Sequence, residues 1–288
     1  MESGARIEQA LQAAIARAEV AACPPGLAAA MRYAVFPRGA RVRPRLCLAV
    51  AAACGDDEPA LSDAAAISIE LLHCASLVHD DLPCFDDADT RRGRPSVHRA
   101  FGEPLGVLAG DALIVLAFQA LARVIHQPQR LAQILITVSR SVGVPLGIVA
   151  GQAWECEPRV DVVHYHRSKT GALFAAAAMA GAAAAGANDE LWRVLGETIG
   201  EAYQAADDIR DTAGDAKEIG KPTGQDMMLG RPNVVAELGL TAALRRLDQL
   251  VAEAIAAIPR CPGAADLKLL IVSEAKRLLP PKLAQQAA

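Results

Sequence analysis

The sequence predicts an all-α protein, one large helical bundle around a central cavity, with residues 1–288 as a single domain. Three observations predict it. Apolar residues recur with helical period along most of the chain, and the strict alternation of half-buried strands is almost absent. The composition is 52% hydrophobic but only 3% aromatic and rich in alanine, as in helices whose small side chains let backbones approach closely. The turn signals between periodic stretches are short, and none is long or polar enough to divide the chain.

The elements follow in order. Residues 5–20 read as an amphipathic helix, stopped by CPPG at 23–26; helices over 27–36 and 43–54 follow, separated by FPRG at 36–39. GDDEP at 55–59 precedes a long helix over 61–82, and RRGRPS at 91–96 separates it from helices over 105–125 and 129–156. A helix over 160–186 contains the Ala/Gly-rich run 171–187, too weakly hydrophobic to require a bilayer and therefore central and fully buried. Helices over 189–212, 232–258 and 264–278 complete the bundle, divided by GKPTG at 220–224 and RCPG at 260–263.

Bulk properties exclude several classes. The net charge is −4 with no dense Lys/Arg run, so nucleic acid is not an expected partner. Seven scattered cysteines without a CxxC predict mostly buried free thiols in a reducing cytoplasm. The first residues lack the apolar core of a signal peptide. No run of 18 strongly apolar residues is present, so the chain is not expected to span a membrane.

Chemistry is concentrated in two acidic clusters. DDLPCFDDAD begins at Asp80 and DDIRD at Asp207, each closing a long apolar stretch. Like charges gathered at one spot repel unless a cation neutralises them, and helix C-termini disfavour negative charge further. Paired hard oxygens suit Mg²⁺, which keeps several waters and completes its shell with substrate phosphates. Asp80 and Asp81 fall in the last turn of their helix, and Pro83 lets the chain turn so that Asp86 points back. Asp207 and Asp211 share a helix face, with Asp208 adjacent and Gln204 one turn back.

Basic residues lie between the clusters and beside them. Arg91 and Arg92 follow the first cluster and offer two guanidiniums for bidentate phosphate contacts. Arg41 and Arg43 lie in a Gly/Pro-framed turn entering a helix, a candidate anion site. Of only six lysines, Lys169 precedes Thr170 in an apolar helix and Lys221 stands in a Gly/Pro loop after the second cluster. Together these predict a cavity in which a diphosphate is held from both sides by magnesium.

On these motifs the chain resembles the trans-isoprenyl diphosphate synthases of the polyprenyl synthetase family, from about residue 38 to 233. Asp80, Asp81 and Asp86 match the family's first Asp-rich motif in its form with four intervening residues; Asp207, Asp208 and Asp211 match the second. Gly151-Gln152, Lys169-Thr170, Tyr203-Gln204 and Gly220-Lys221 fall in family order. The resemblance implies an isoprenoid synthase-type bundle, commonly a homodimer. In it Asp80 and Asp86 hold two Mg²⁺ ions, and Asp207, with Asp211, helps hold a third. Arg91, Lys169 and Lys221 would bind an allylic diphosphate, and Arg43, His73 and Arg92 isopentenyl diphosphate, with Arg41, Thr170 and Gln204 as further substrate contacts.

The implied reaction ionises the allylic C–O bond in a dry cavity, joins the cation to isopentenyl diphosphate and lengthens the chain by five carbons. The floor of the growing-chain tunnel is implied at Ala75 and Ser76, both small, which favours a twenty-carbon product, geranylgeranyl diphosphate. A farnesyl or longer-chain synthase is the enzyme alternative, and a class I terpene cyclase fits less well, with so few aromatics and two Asp-rich motifs. The sequence departs from the family where Ala40 replaces a usual Lys, removing one contact to isopentenyl diphosphate. Phe85 for Met, Glu155 for Asp and Arg231 for Lys are milder changes. The missing Lys keeps a non-catalytic partner subunit as the non-enzyme alternative.

Overall fold

A computed structural model describes residues 3–36, 39–159, 165, 167–213 and 233–278; Arg38, Gly220, Lys221 and Arg231 lie outside the described residues. Helices α1 (Ser3–Ala18), α2 (Pro25–Val35), α3 (Val42–Cys54) and α4 (Pro59–Asp80) come first. A two-stranded hairpin, β1 (Thr90–Arg91) and β2 (Arg94–Pro95), leads to α5 (Val97–Phe101), α6 (Glu103–Ala122), α7 (Pro128–Val142) and α8 (Ile148–Trp154). A π-helical turn (Arg167–Gly171) opens α9 (Ala172–Ala184), and a 3₁₀ turn (Asp189–Trp192) precedes α10 (Arg193–Ala213). Helices α11 (Val234–Leu238), α12 (Leu240–Ala256) and α13 (Ala264–Leu278) follow.

The all-α expectation holds, with three refinements. The helix expected over 129–156 breaks after Val142, where Gly143, Pro145 and Gly147 crowd into one stretch and proline removes a backbone donor. The helix expected over 232–258 divides at Gly239, whose φ is 77°. RRGRPS forms a hairpin: Arg92 (φ 54°) and Gly93 (φ 74°) are its two central residues, as a primed turn requires.

The Ala/Gly-rich stretch is the axis of the bundle. Every residue of α9 from Leu173 to Ala184 is buried, against α3, α4, α7 and α10. Small residues are required there because backbones nearly touch. A Cβ on Gly181 would lie 2.2 Å from the Cys47 carbonyl oxygen of α3. Gly181→Ala should therefore destabilise the fold by about 1–3 kcal/mol, although alanine is the better helix former. Urea unfolding would measure this, and a stabilised variant would show that α3 can yield.

Among the described residues two helices, α4 and α6, are long and apolar enough by composition to cross a membrane, which the expectation of no long apolar run did not include. The α4 window is 78% buried within the protein, so its apolarity belongs to the core; the α6 window is 44% buried and leaves Val107, Leu108 and Val115 exposed. All seven cysteines are free thiols as expected, but only Cys47 and Cys74 are buried, and Cys84 and Cys156 are exposed. Helix α13 docks on α3 and the residue before its N-cap. Arg45 of α3 pairs with Glu274 at 2.8 Å, the Gly263 N–H donates to the Ala53 carbonyl at 3.0 Å, and Arg277 Nη2 donates to the Ala40 carbonyl at 3.3 Å.

Candidate active site

The first acidic cluster forms where α4 ends. The Asp86 N–H donates to the Asp80 carbonyl at 2.9 Å and the Ala88 N–H to that of Asp81 at 3.1 Å, folding the chain back over the helix tip. Asp80, 8% exposed, accepts from Gln152 Nε2 at 2.8 Å and stands 3.9 Å from Lys169 Nζ. Burial pushes its carboxyl above the usual range, against Lys169 and Gln152, and Asp86 and Glu155 push the same way. This is a carboxylate placed where its charge is unfavourable until a cation arrives.

Asp81 and Arg91 form a unit of their own. Asp81 is 2% exposed and accepts from Arg91 Nε at 3.0 Å and from Nη2. Burial raises the Asp81 carboxyl, and the guanidinium opposes that rise. The hairpin therefore separates its arginines: Arg91 turns to Asp81, while Arg92 lies against Gly39, where a Cβ would meet Arg92 Nη2 at 2.6 Å.

Lys169 links this end to the second cluster. Its Nζ donates to Glu155 Oε1 at 2.6 Å, and the same oxygen accepts from the Tyr165 hydroxyl at 2.6 Å. Gly151 lets α8 approach the π-helical turn, since a Cβ there would lie 2.6 Å from the Lys169 nitrogen. The next residue, Thr170, donates to Gln204 Oε1 at 3.0 Å, and Gln204 Nε2 donates to Asp208 Oδ1 at 2.8 Å. Consecutive residues Lys169 and Thr170 thus reach the two clusters separately, Lys169 toward Asp80 and Thr170 through Gln204 to Asp208.

Within the second cluster the acids divide. Asp208 is buried, and its Oδ2 accepts from the Val234 N–H at 2.8 Å, pinning the start of α11. Asp207 is half-buried and pairs with Arg210 at 2.7 Å. Asp211 is buried one turn on. On this side a cleft of about 560 Å³ is lined by Thr170, Gln204, Asp208 and Asn233.

A basic pocket adjoins both clusters. Arg43 is buried between rings, 4.4 Å from the Phe174 centroid and 5.5 Å from that of Tyr203. Its Nη1 donates to His73 Nε2 at 3.3 Å. Burial, then Arg43, Arg92, Arg91 and Arg41, hold His73 well below its usual range. The imidazole is therefore neutral at neutral pH and accepts through Nε2. Burial also lowers Arg43, with Tyr203, Glu70 and Asp207 opposing.

Arg41 is placed differently from the expectation of a substrate contact. Its Nε donates to Glu8 at 2.9 Å, Nη1 to Glu70 at 2.6 Å and Nη2 to the Val35 carbonyl at 2.8 Å, all buried. With every guanidinium nitrogen engaged inside the protein, Arg41 ties α1 to α4. Ala75 is buried on α4, and Ser76 is half-buried with its hydroxyl donating to the His73 carbonyl at 2.9 Å. Lys221 falls outside the described residues. Tyr165 and Asn233 are contributors that sequence reasoning missed, since neither stands in a motif that marks it.

The donor set fits magnesium. Among the described residues no three acids or imidazoles form a complete cage. Magnesium does not need one, because one or two carboxylates, waters and substrate phosphates complete its shell.

Comparison with known proteins adds three findings. The polyprenyl synthetase family model matches residues 24–264. The chain is 55% identical over 280 residues to the geranylgeranyl diphosphate synthase of Cereibacter sphaeroides, covering 97% of each protein. It is also similar to a solved geranyltransferase of Helicobacter pylori complexed with magnesium and isoprenyl diphosphate. There the identity is 27% and the TM-score 0.79, over 96% of this chain and 98% of that one.

Proposed function

The chain belongs to the polyprenyl synthetase family, and from that premise we propose that it is a head-to-tail prenyltransferase condensing isopentenyl diphosphate with allylic diphosphates to geranylgeranyl diphosphate. The observation that carries this reading is the pair of consecutive residues Lys169, 3.9 Å from Asp80, and Thr170, bonded through Gln204 to Asp208, which connects the two acid clusters. The product follows from the 55% identical relative, whose name states it. Both acid clusters are intact, which favours an enzyme over a non-catalytic partner subunit.

Each group has work to do. Lys169, oriented by Glu155, faces the charge that develops on the leaving diphosphate as the allylic C–O bond breaks. Arg91, held by Asp81, faces the same group, and Lys221 is the further cation assigned to it. Arg43, Arg92 and the neutral His73 receive isopentenyl diphosphate and hold its double bond near the allylic carbon. A carbon–carbon bond forms, a proton leaves to the departed diphosphate, and the apolar bundle keeps water from the cation. Asp80, Asp86, Asp207 and Asp211 would hold magnesium, three ions with substrate bound, which would supply charge neutralisation on the leaving group.

One helical domain is supported by a core cluster that draws on α1 to α10, α12 and α13, with α11 in a smaller cluster against α10 and α12. The exposed Val107, Leu108 and Val115 of α6 support a homodimer. A cytoplasmic, non-membrane location is the accompanying proposal, with no nucleic-acid partner.

The test is incubation of purified protein with labelled isopentenyl diphosphate, Mg²⁺ and each allylic starter, followed by sizing of the dephosphorylated products. A twenty-carbon alcohol is expected. No product from folded protein would bring the partner-subunit reading forward. Ala75→Tyr should shorten the product to fifteen carbons by filling the tunnel five residues before Asp80. An unchanged twenty-carbon product from that variant would move the floor elsewhere.

A further inference from the structure

The second acid cluster, DDIRD, carries a cation inside it. Tyr203, Asp207 and Arg210 are spaced i, i+4 and i+7 along α10, so their side chains share one helix face. Arg210 Nη2 donates to Asp207 Oδ1 at 2.7 Å, and the guanidinium carbon stands 5.9 Å from the Tyr203 ring centroid. Arg43 stands 5.5 Å from the same centroid, and Asp207 is near enough to favour its charged form. The carboxylate assigned to magnesium is therefore also one that a guanidinium takes.

Each acid cluster has such an Arg–Asp pair, and the two are built differently. Arg91 grips Asp81 through Nε and Nη2, and that carboxylate is 2% exposed. Arg210 reaches Asp207 through Nη2, and the two side chains are 26% and 31% exposed. Its Nε is buried with no hydrogen-bond partner among the described residues. A buried donor left unpaired costs free energy, and an ion pair this accessible contributes little. The pair at Asp81 is locked, whereas the pair at Asp207 can be exchanged.

We propose that Arg210 competes with magnesium for Asp207 and so sets how tightly the second acid cluster takes its ion. This rests on the assignment of Asp207 to magnesium in the prenyltransferase reading above. A divalent ion must displace the guanidinium and then sit beside it, and both effects weaken its binding.

Calorimetric titration of the whole, substrate-free chain with Mg²⁺ alone tests this. Arg210→Gln should bind Mg²⁺ about fivefold more tightly than the parent, the upper end for an ion pair this exposed. Arg210→Met, a second uncharged variant, should match it. Arg210→Lys keeps a cation three residues from Asp207 and should stay within about twofold of the parent. In an Asp207→Asn background, Arg210→Gln should change Mg²⁺ affinity by less than about twofold, since no carboxylate is left to contest.

Other results overturn the proposal: unchanged or weaker Mg²⁺ binding in both uncharged variants, a gain that survives Asp207→Asn, or Arg210→Lys binding as tightly as Arg210→Gln. Turnover assays on the same preparations separate this proposal from the prenyltransferase reading. The expected Mg²⁺ shifts without turnover would sink that reading and keep the competition at Asp207. Turnover with Mg²⁺ binding indifferent to Arg210 would do the reverse.

Discussion

Asp80→Asn is expected to lower kcat by about 10²–10³-fold, the scale of removing a preorganised electrostatic contact from the transition state. The side chain keeps its shape and its bond from Gln152 but loses the charge that faces Lys169 at 3.9 Å. Stability should move the other way. Burial raises the Asp80 carboxyl in the folded protein. The stability it contributes is therefore fully present below its unfolded value and lost as pH rises through its folded one. At neutral pH the ionised carboxyl works against folding, and asparagine removes that burden. Steady-state turnover and thermal unfolding on the same preparation check both halves. Activity within tenfold of the parent, or a clear fall in Tm, would mean that Asp80 serves the fold rather than the reaction.

Arg41→Met should destabilise the protein by about 3–5 kcal/mol, because it removes the guanidinium that pairs with the buried Glu70 at 2.6 Å and with Glu8 at 2.9 Å. At 2% exposure the Glu70 carboxylate has no route to water. Adding Glu8→Gln and Glu70→Gln should recover most of the loss, since an uncharged trio no longer needs a guanidinium. Denaturant unfolding of the single and triple variants decides it. A loss below 1 kcal/mol for the single variant would show that the acids relax or protonate. Arg43 lies two positions away, so the single variant should also weaken substrate binding through the loop.

Helices and acid clusters are legible in the sequence because each rests on local spacing. Period 3.6 marks the bundle, and carboxylates at the end of an apolar helix mark a cation site wherever the partners lie. Arg41 shows where such reading stops. Its acidic partners lie 33 and 29 positions away, and nothing near Arg41 distinguishes a guanidinium facing a ligand from one facing internal acids. The same limit hid the separation of Arg91 from Arg92, which depends on a two-residue turn and on Asp81 being buried. Lys169 was legible as a candidate. Its placement by Glu155 and Tyr165 was not, because that needs α8 and the π-helical turn in contact at Gly151.

The docking of α13 on residues 40–53 has a consequence for how the protein is made. Ala40 and Arg277 are separated by 237 positions. At the usual pace of synthesis, roughly 5–20 residues per second, some 10–50 s pass between the appearance of the loop and that of its last partner. The segment carrying Arg41 and Arg43 emerges after Glu8 and before Glu70, whereas its neighbour in α13 follows some 237 positions later. A nascent chain therefore cannot complete this docking until α13 has left the ribosome.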